Sequence, residues 1–293
     1  MIALLLFSVL AAAAVWLAGR KDPALDPRLT TVVLALLGVF PVLLVVIPKL
    51  IVIPQPVAEA QAPSWKVWLA VVWISGFLVE VVRLLAAWRK VRGWAEGSTL
   101  LETVEGVEIR SLSGLRGPVA AGVREQIVFV PGDWLVWEED LRKMALCHEL
   151  EHHRRRDPLR RWIAGIAVAV NWFNPLVRWI VRRLLIQCEY SCDATVIRSG
   201  VESRRYAKAL CDLAEDRPLK GPALAMAERG GLEARVRRVM EPQRGDSGLA
   251  SGVLILLAVG AAALLALVGQ ETITGYTKTE IHQRRTADPF PGL

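Results

Sequence analysis

Long apolar runs dominate the pattern of polar and apolar positions in this chain of 293 residues. The four runs are residues 1–19, 29–48, 67–88 and 247–270. Each reaches the roughly 20 residues that a helix needs to cross a hydrocarbon core, so the pattern predicts four transmembrane helices. Only the third run carries charge, and its Glu80 and Arg83 lie three residues apart on one helix face, where we expect them to neutralise each other.

Clusters of basic residues follow the first and third runs. They are Arg20, Lys21, Arg28, Arg89, Lys90 and Arg92. The connection at residues 51–64 holds neither Lys nor Arg. The positive-inside rule therefore predicts a multi-pass protein of a bacterial-type inner membrane, with residues 89–246 in the cytoplasm. The N-terminus and a short tail at residues 271–293 are expected outside.

Composition agrees with a membrane protein and excludes a free soluble enzyme. Apolar residues make up 53% of the chain, and the net charge is +7. Much of the basic excess lies in residues 89–246, where anionic membrane lipid is the expected partner. No zinc-finger spacing and no interleaving of aromatic and basic residues is present, so we expect no direct nucleic-acid binding. All four cysteines lie in the same cytoplasmic segment, where thiols stay reduced.

Residues 89–246 are predicted to form a mostly helical insert with a small β-sheet. Apolar alternation favours short strands at residues 104–109 and 126–130, and helical periodicity begins at Glu138. Later helices are expected at residues 175–198, 203–215 and 232–240. The apolar stretch at residues 162–170 is too short to span a bilayer, so we expect it at the membrane interface or beneath the helix from Glu138. The fold class is therefore a mainly α membrane protein.

The most informative motif is His148-Glu149-Leu150-Glu151-His152. Positions i and i+4 share a helix face, so His148 and His152 can present their imidazoles to one zinc ion. Glu149 is then placed to take a proton from a water in the open coordination position, whose pKa zinc lowers to about 7. The motif predicts a hydrolytic Zn²⁺ site with Glu149 as its general base.

A third protein ligand is needed, and residues 187–193 offer two candidate pairs at i, i+4 spacing. One pair is Glu189 with Asp193, and the other is Cys188 with Cys192. Glutamate suits a catalytic zinc, whereas thiolates suit a closed structural one, so Glu189 is favoured and the thiols stay open as alternatives. Asp193 is then expected to support a zinc-bound histidine.

Three blocks together resemble the membrane metallopeptidases of the BlaR/MecR antibiotic-resistance sensors. They are His148-Glu149-Leu150-Glu151-His152-His153-Arg154-Arg155-Arg156-Asp157, Asn171-Trp172-Phe173-Asn174-Pro175-Leu176-Val177 and Cys188-Glu189-Tyr190-Ser191-Cys192-Asp193. The order of three spans, a peptidase insert and a fourth span is also similar. The resemblance implies a zincin-like domain with His148, His152 and Glu189 as ligands, Glu149 as base and Asp193 as a supporting residue.

The sensors of that family cleave themselves and so relieve a transcriptional repressor. Here residues 271–293 are too few for a penicillin-binding sensor domain and contain no Ser-x-x-Lys motif, so we expect no covalent sensing of a β-lactam. We therefore expect a zinc endopeptidase that cleaves itself or a cytoplasmic regulator such as a repressor, with the strand at residues 126–130 pairing its edge with substrate. The alternatives are a quality-control membrane protease and a non-catalytic zinc-binding scaffold. The sequence leaves the oligomeric state open, a homodimer included.

Overall fold

A computed structural model describes residues 2–21, 26–51, 64–215, 222–241 and 260. These residues form a mostly helical protein with one small mixed sheet, which confirms the mainly α class. The helices are α1 (Ile2–Lys21), α2 (Pro27–Ile51), α3 (Ser64–Glu96), α4 (Glu139–Arg154), α5 (Asp157–Val170), α6 (Pro175–Arg198), α7 (Ser203–Glu215) and α8 (Pro222–Met240). The strands are β1 (Thr99–Val104), β2 (Val107–Leu112), β3 (Val119–Ala121) and β4 (Ile127–Pro131).

Among the described residues, one helical stretch is long and apolar enough to cross a membrane, Val67–Glu96 of α3. Only 6% of its apolar window is buried inside the protein, so it is not a core helix. Two shorter apolar helical stretches, Phe7–Ala18 and Pro27–Val39, each overlap part of one of the first two predicted spans. The predicted fourth span at residues 247–270 and the tail at residues 271–293 lie outside the described residues.

The largest hydrophobic core joins α1 and α2 to α5 and α6. Its buried members are Phe7, Ala11, Ala12, Val15, Val33, Leu34, Leu37, Ala164, Ala167, Val177, Ile180, Leu184 and Cys188. The N-terminal helices therefore pack directly on the helices that follow the HExxH motif. The apolar stretch at residues 162–170 is part of α5, and it buries Ala164 and Ala167 in this core.

The turn between α5 and α6 packs against α3. Trp172 donates its indole N–H to the carbonyl of Trp73, 3.1 Å away, and its ring lies over Gly76. One turn along α3, Glu80 accepts from Arg83 at 2.9 Å, as expected, and also from Arg178 of α6 at 2.7 Å. An ion pair predicted within α3 is thus shared with α6.

The sheet has the strand order β1-β2-β4-β3 and corrects two predictions. The segment at residues 104–109 is not one strand, because Glu105 and Gly106 take positive φ values of 52° and 80° and form a two-residue hairpin turn between β1 and β2. The strand predicted to pair its edge with substrate, now β4, is not an edge. It pairs in parallel with β2 and antiparallel with β3, so both of its sides are occupied.

The helices after β4 follow the sequence pattern closely. The bounds of α6 and α7 are those predicted, whereas α8 begins ten residues earlier than expected, at Pro222. Local residues explain the starts of two helices. Pro158 lies in the first turn of α5, and α6 begins with Pro175 after Asn174, whose side chain accepts from the Leu176 N–H at 3.0 Å.

Gly76 gives a test of the packing between α3 and the α5–α6 turn. A Cβ added at this position would lie 2.6 Å from Cζ2 of Trp172, so Gly76→Ala should overlap the indole. In the same helix, a Cβ added at Gly93 has nothing within 4 Å. We expect Gly93→Ala to raise the melting temperature, because alanine has the higher helix propensity, and Gly76→Ala to lower it. Both melting temperatures are measured by thermal unfolding in detergent. Equal melting temperatures for the two variants would contradict this packing.

Candidate metal centre

Helix α4 carries the two histidines of the HExxH motif into the interior. His148 and His152 keep only 6% and 4% of their surface exposed, and their ring centroids lie 5.0 Å apart. The i, i+4 spacing puts both rings on one face, and that face is turned toward α6. Two buried imidazoles side by side need polar partners, and both ring nitrogens of each histidine have them.

The Nδ1 atom of His148 faces Asp193 of α6 and Tyr206 of α7. It lies 3.2 Å from Asp193 Oδ1 and 3.0 Å from the Tyr206 hydroxyl oxygen. Tyr206 also donates its hydroxyl to Asp193 Oδ1 at 2.7 Å. Because a carboxylate has only acceptors, Asp193 favours the proton of His148 on Nδ1, which turns Nε2 toward the opposite side.

The Nδ1 atom of His152 rests in the same way on Asp157, at the start of α5. The distance to Asp157 Oδ2 is 2.9 Å, and Arg160 donates to the other carboxylate oxygen at 2.5 Å. Arg156, directly before Asp157, takes the left-handed conformation with φ of 59°. Such a conformation is strained for a residue with a Cβ, and here it forms the sharp turn that brings Asp157 back under His152.

Glu189 occupies the space in front of both Nε2 atoms. Its Oε2 lies 3.4 Å from Nε2 of His148, and its Oε1 lies 3.6 Å from Nε2 of His152. With 23% of its side chain exposed, Glu189 is reachable from outside. Cys192 lies behind the rings instead, with its sulfur 3.3 Å from Nδ1 of His152. His148, His152 and Cys192 each offer a ligand atom within 4.8 Å of the others, so the thiol stays a candidate ligand.

Arg235 of α8 connects the two carboxylates. Its Nε and Nη2 donate to the two oxygens of Asp193 at 2.8 and 2.7 Å, and its Nη1 lies 3.1 Å from Glu189 Oε2. This is a bidentate pair with a third contact, the geometry for which a planar guanidinium is suited. A second arginine, Arg161 of α5, lies 3.6 Å from the other oxygen of Glu189 and is half-exposed.

These contacts determine the protonation of the centre. Burial lowers the pKa of His148, but its hydrogen bonds to Asp193 and Glu189 outweigh burial and raise this pKa to about 10. Burial raises the pKa of Asp193, but hydrogen bonds from Arg235 and His148 outweigh it and lower this pKa to about 2. The pKa of Glu189 is lowered as well, because His148 and Arg235 overcome the effect of burial. Without a metal, the centre is a cationic imidazole between two carboxylates.

The carboxylate of Glu149 contacts the free edge of the sheet. Its Oε2 accepts the backbone N–H of Ala120 in β3 at 2.7 Å. Since β3 pairs with β4 on one side only, the Ala120 N–H points outward from the ladder. Nε2 of the next histidine, His153, lies 3.0 Å from the carbonyl oxygen of Ile127, and this contact joins α4 to β4. The fourth histidine of the chain, His282, lies outside the described residues.

The structure thus brings together four of the residues singled out in the sequence, His148, His152, Glu189 and Asp193, and places Glu149 beside them. The sequence analysis missed four further contributors: Ala120, Asp157, Tyr206 and Arg235. Asp157 had a weak signal as an acidic residue directly after three arginines. For Tyr206 and Arg235 no local pattern distinguishes them from other residues of α7 and α8.

A family model described as the BlaR1 peptidase M56 matches residues 42–240. The chain belongs to this peptidase family. The chain is also similar to the regulatory protein BlaR1 of Bacillus licheniformis, with 32% identity over 85 residues. That alignment covers 29% of this chain and 14% of the relative. The BlaR1 of Staphylococcus aureus is 20% identical over 183 residues, 61% of this chain and 31% of the relative. The chain therefore spans less than a third of each relative that it matches.

As a member of the M56 family, the chain is related to metal-dependent peptidases, and its centre fits that chemistry. Two imidazole Nε2 atoms and one carboxylate face a common point, while both Nδ1 atoms are already held by carboxylates. This is the arrangement by which proteins fix the tautomer and orientation of metal-binding histidines. The residues present therefore suit a divalent metal ion on the Nε2 side.

Arg235 gives a test of the charge balance at the centre. Arg235→Ala removes the guanidinium that pairs with both carboxylates, and breaking a buried ion pair typically costs about 3–5 kcal/mol. We expect the free energy of unfolding of the metal-free protein to fall by this order, and Arg235→Lys to recover only part of the loss because it lacks the bidentate fork. The control is Arg237→Ala on the same helix, whose side chain is 71% exposed. Similar stability of the two alanine variants in denaturant titrations would contradict the role of Arg235.

Proposed function

We propose that this chain is a multi-pass zinc endopeptidase of an inner membrane that cleaves itself or a cytoplasmic regulator during signal transduction. The observation that carries the proposal is the position of Glu189 in front of both HExxH histidines, with Asp157 and Asp193 behind their rings. Membership of a peptidase family and similarity to two proteins named regulatory support the same function.

His148, His152 and Glu189 are the proposed zinc ligands. Cys192 is the less suitable third ligand for two reasons. Its sulfur lies beside Nδ1 of His152, which Asp157 already occupies, so a ligand set built on this side has to break the His152–Asp157 contact. Burial also raises the pKa of Cys192, whereas a thiol binds metal as the thiolate. Glu189 provides an oxygen that is already ionised.

Zinc, when bound, supplies the Lewis acidity that polarises the scissile carbonyl. Glu149 acts as the general base: it takes a proton from the attacking water and later gives it to the leaving amine. Its contact with Ala120 puts the base next to the edge of β3. A substrate strand that adds to this edge comes to lie along Glu149, so β3 replaces β4 as the proposed substrate-pairing strand.

The membrane assignment is supported by α3 and by charge. The apolar side chains of α3 are exposed on the protein surface, including Trp68 at 70% and Val82 at 63%. Such a continuous apolar surface needs a partner, and lipid fits a helix of this length. We propose that α1, α2 and α3 cross the membrane with residues 89–96 at the cytoplasmic side, and that residues 247–270 form a fourth span.

The first test replaces the base. Glu149→Gln keeps the shape of the side chain and its contact with Ala120 but cannot accept a proton, so we expect cleavage to fall by roughly 100- to 10,000-fold. The control is Glu151→Gln on the same helix, which should retain activity. New termini in cells are mapped by mass spectrometry, and zinc content is measured on the purified variants. Loss of zinc in Glu149→Gln, or cleavage at the parent rate, would disprove this role.

The second test concerns the third ligand. Glu189→Ala should lose zinc, Asp193→Ala should bind it about 10- to 100-fold more weakly, and Cys192→Ser should keep it. X-ray absorption should then show nitrogen and oxygen neighbours at about 2.0–2.1 Å and no sulfur at about 2.3 Å. A sulfur shell in the parent protein that disappears in Cys192→Ser would instead assign the thiol as the third ligand.

A further inference from the structure

The turn between α5 and α6 reaches deep along all three N-terminal helices. Asn174 donates to the Ser8 hydroxyl of α1 at 2.8 Å, and Asn171 donates to the Leu37 carbonyl of α2 at 3.0 Å. With the contact of Trp172 to α3 described above, this turn touches each of the three helices. The side-chain amide nitrogens of Asn171 and Asn174 are thereby satisfied by protein, whereas the buried Asn171 Oδ1 has no partner among the described residues.

The depth of this turn follows from the helical rise of 1.5 Å per residue. The contact on α1, at Ser8, lies about 20 Å from Lys21, and the contact on α2, at Leu37, lies about 15 Å from Pro27. The contact on α3, at Trp73, lies about 24 Å from Arg89. Lys21, Pro27 and Arg89 mark the ends that the charge pattern assigns to the cytoplasmic side. Measured along each of the three helices, the α5–α6 turn therefore lies at least halfway into a hydrocarbon core of about 30 Å.

The opposite end of the α5–α6 hairpin returns to that cytoplasmic side. Arg155, just before α5, lies 3.8 Å from Asp26 in the connection between α1 and α2. In α6, Gln187 accepts from Thr30, near the start of α2, at 2.7 Å. Glu189 lies only two residues farther along α6, about 21 Å from Pro175. The hairpin thus runs from the level of the metal centre into the apolar layer and back.

The outer surface of the hairpin at this depth exposes both apolar side chains and arginines. Ile166 of α5 is 52% exposed, and Trp179 and Leu185 of α6 are 37% and 36% exposed. Of the arginines on the same face, Arg178 is paired with Glu80 of α3. Arg182 lies about 10 Å from the level of Glu189, close enough for its long side chain to extend toward the headgroups.

We infer that the α5–α6 hairpin is an intramembrane element whose exposed apolar side chains, Ile166, Trp179 and Leu185, contact lipid acyl chains. This inference rests on the proposed membrane crossing of α3. It places the metal centre at the cytoplasmic surface of the bilayer, and it moves about half of α5 and α6 out of the cytoplasmic domain predicted from sequence. The peptidase then meets peptide segments that lie at the membrane surface.

The test attaches a spin label to single cysteines in the full chain, reconstituted in proteoliposomes. Ile166→Cys and Trp179→Cys report on the hairpin, Leu78→Cys on α3, and Lys143→Cys on α4. Leu78 and Lys143 are both well exposed in the protein, so protein packing does not distinguish them. The spectrum of the parent chain, with its native cysteines, is subtracted. Collision with oxygen reports lipid, and collision with a water-soluble nickel chelate reports water.

We expect Ile166→Cys and Trp179→Cys to match Leu78→Cys, with high access to oxygen and low access to nickel, and Lys143→Cys to show the reverse. Nickel access at Ile166 and Trp179 with a lipid signal at Leu78 would overturn the inference and leave the membrane span intact. Exclusion of both reagents at Ile166 would also overturn it, because it would mean that protein covers the face. A water signal at Leu78 would overturn the proposed span itself.

Discussion

Both HExxH histidines are buried, and the Nδ1 atom of each contacts a buried carboxylate. The other polar contacts of the centre depend on this constraint. A buried carboxylate is costly unless charge and hydrogen bonds compensate it. Asp157 is therefore matched by Arg160, and Asp193 by Arg235 and Tyr206. These partners come from separate helices, so the orientation of the imidazoles depends on the packing of the whole helical domain.

Helix α6 connects the apolar core to this centre. Its first half packs Val177, Ile180 and Leu184 among α1, α2 and α5, and its second half carries Glu189 and Asp193. One continuous helix thus links the apolar core to the two carboxylates of the centre. A change in how α6 packs on the N-terminal helices has to move the carboxylates, because no flexible linker separates the two halves.

Much of this fold is readable from the sequence because periodicity and spacing are local signals. The i, i+4 spacing of His148 and His152, the bounds of α6 and α7 and the small sheet were all predicted. The break at Glu105 and Gly106 was missed because the apolar alternation continues across a turn of only two residues. Arg235 was missed for another reason: its role depends on tertiary packing, and nothing in the local sequence separates it from Arg237, which stays exposed on the same helix.

The order of the partners along the chain has a consequence for biosynthesis. A ribosome makes His148, His152 and Glu189 well before it makes Arg235, which lies near the end of α8. Until α8 docks, Glu189 and Asp193 lack the guanidinium that bridges them, so the contacts of the centre are incomplete in the nascent chain. Maturation of the peptidase is thereby coupled to the synthesis of its last described helix, and a chain truncated before α8 lacks this bridge.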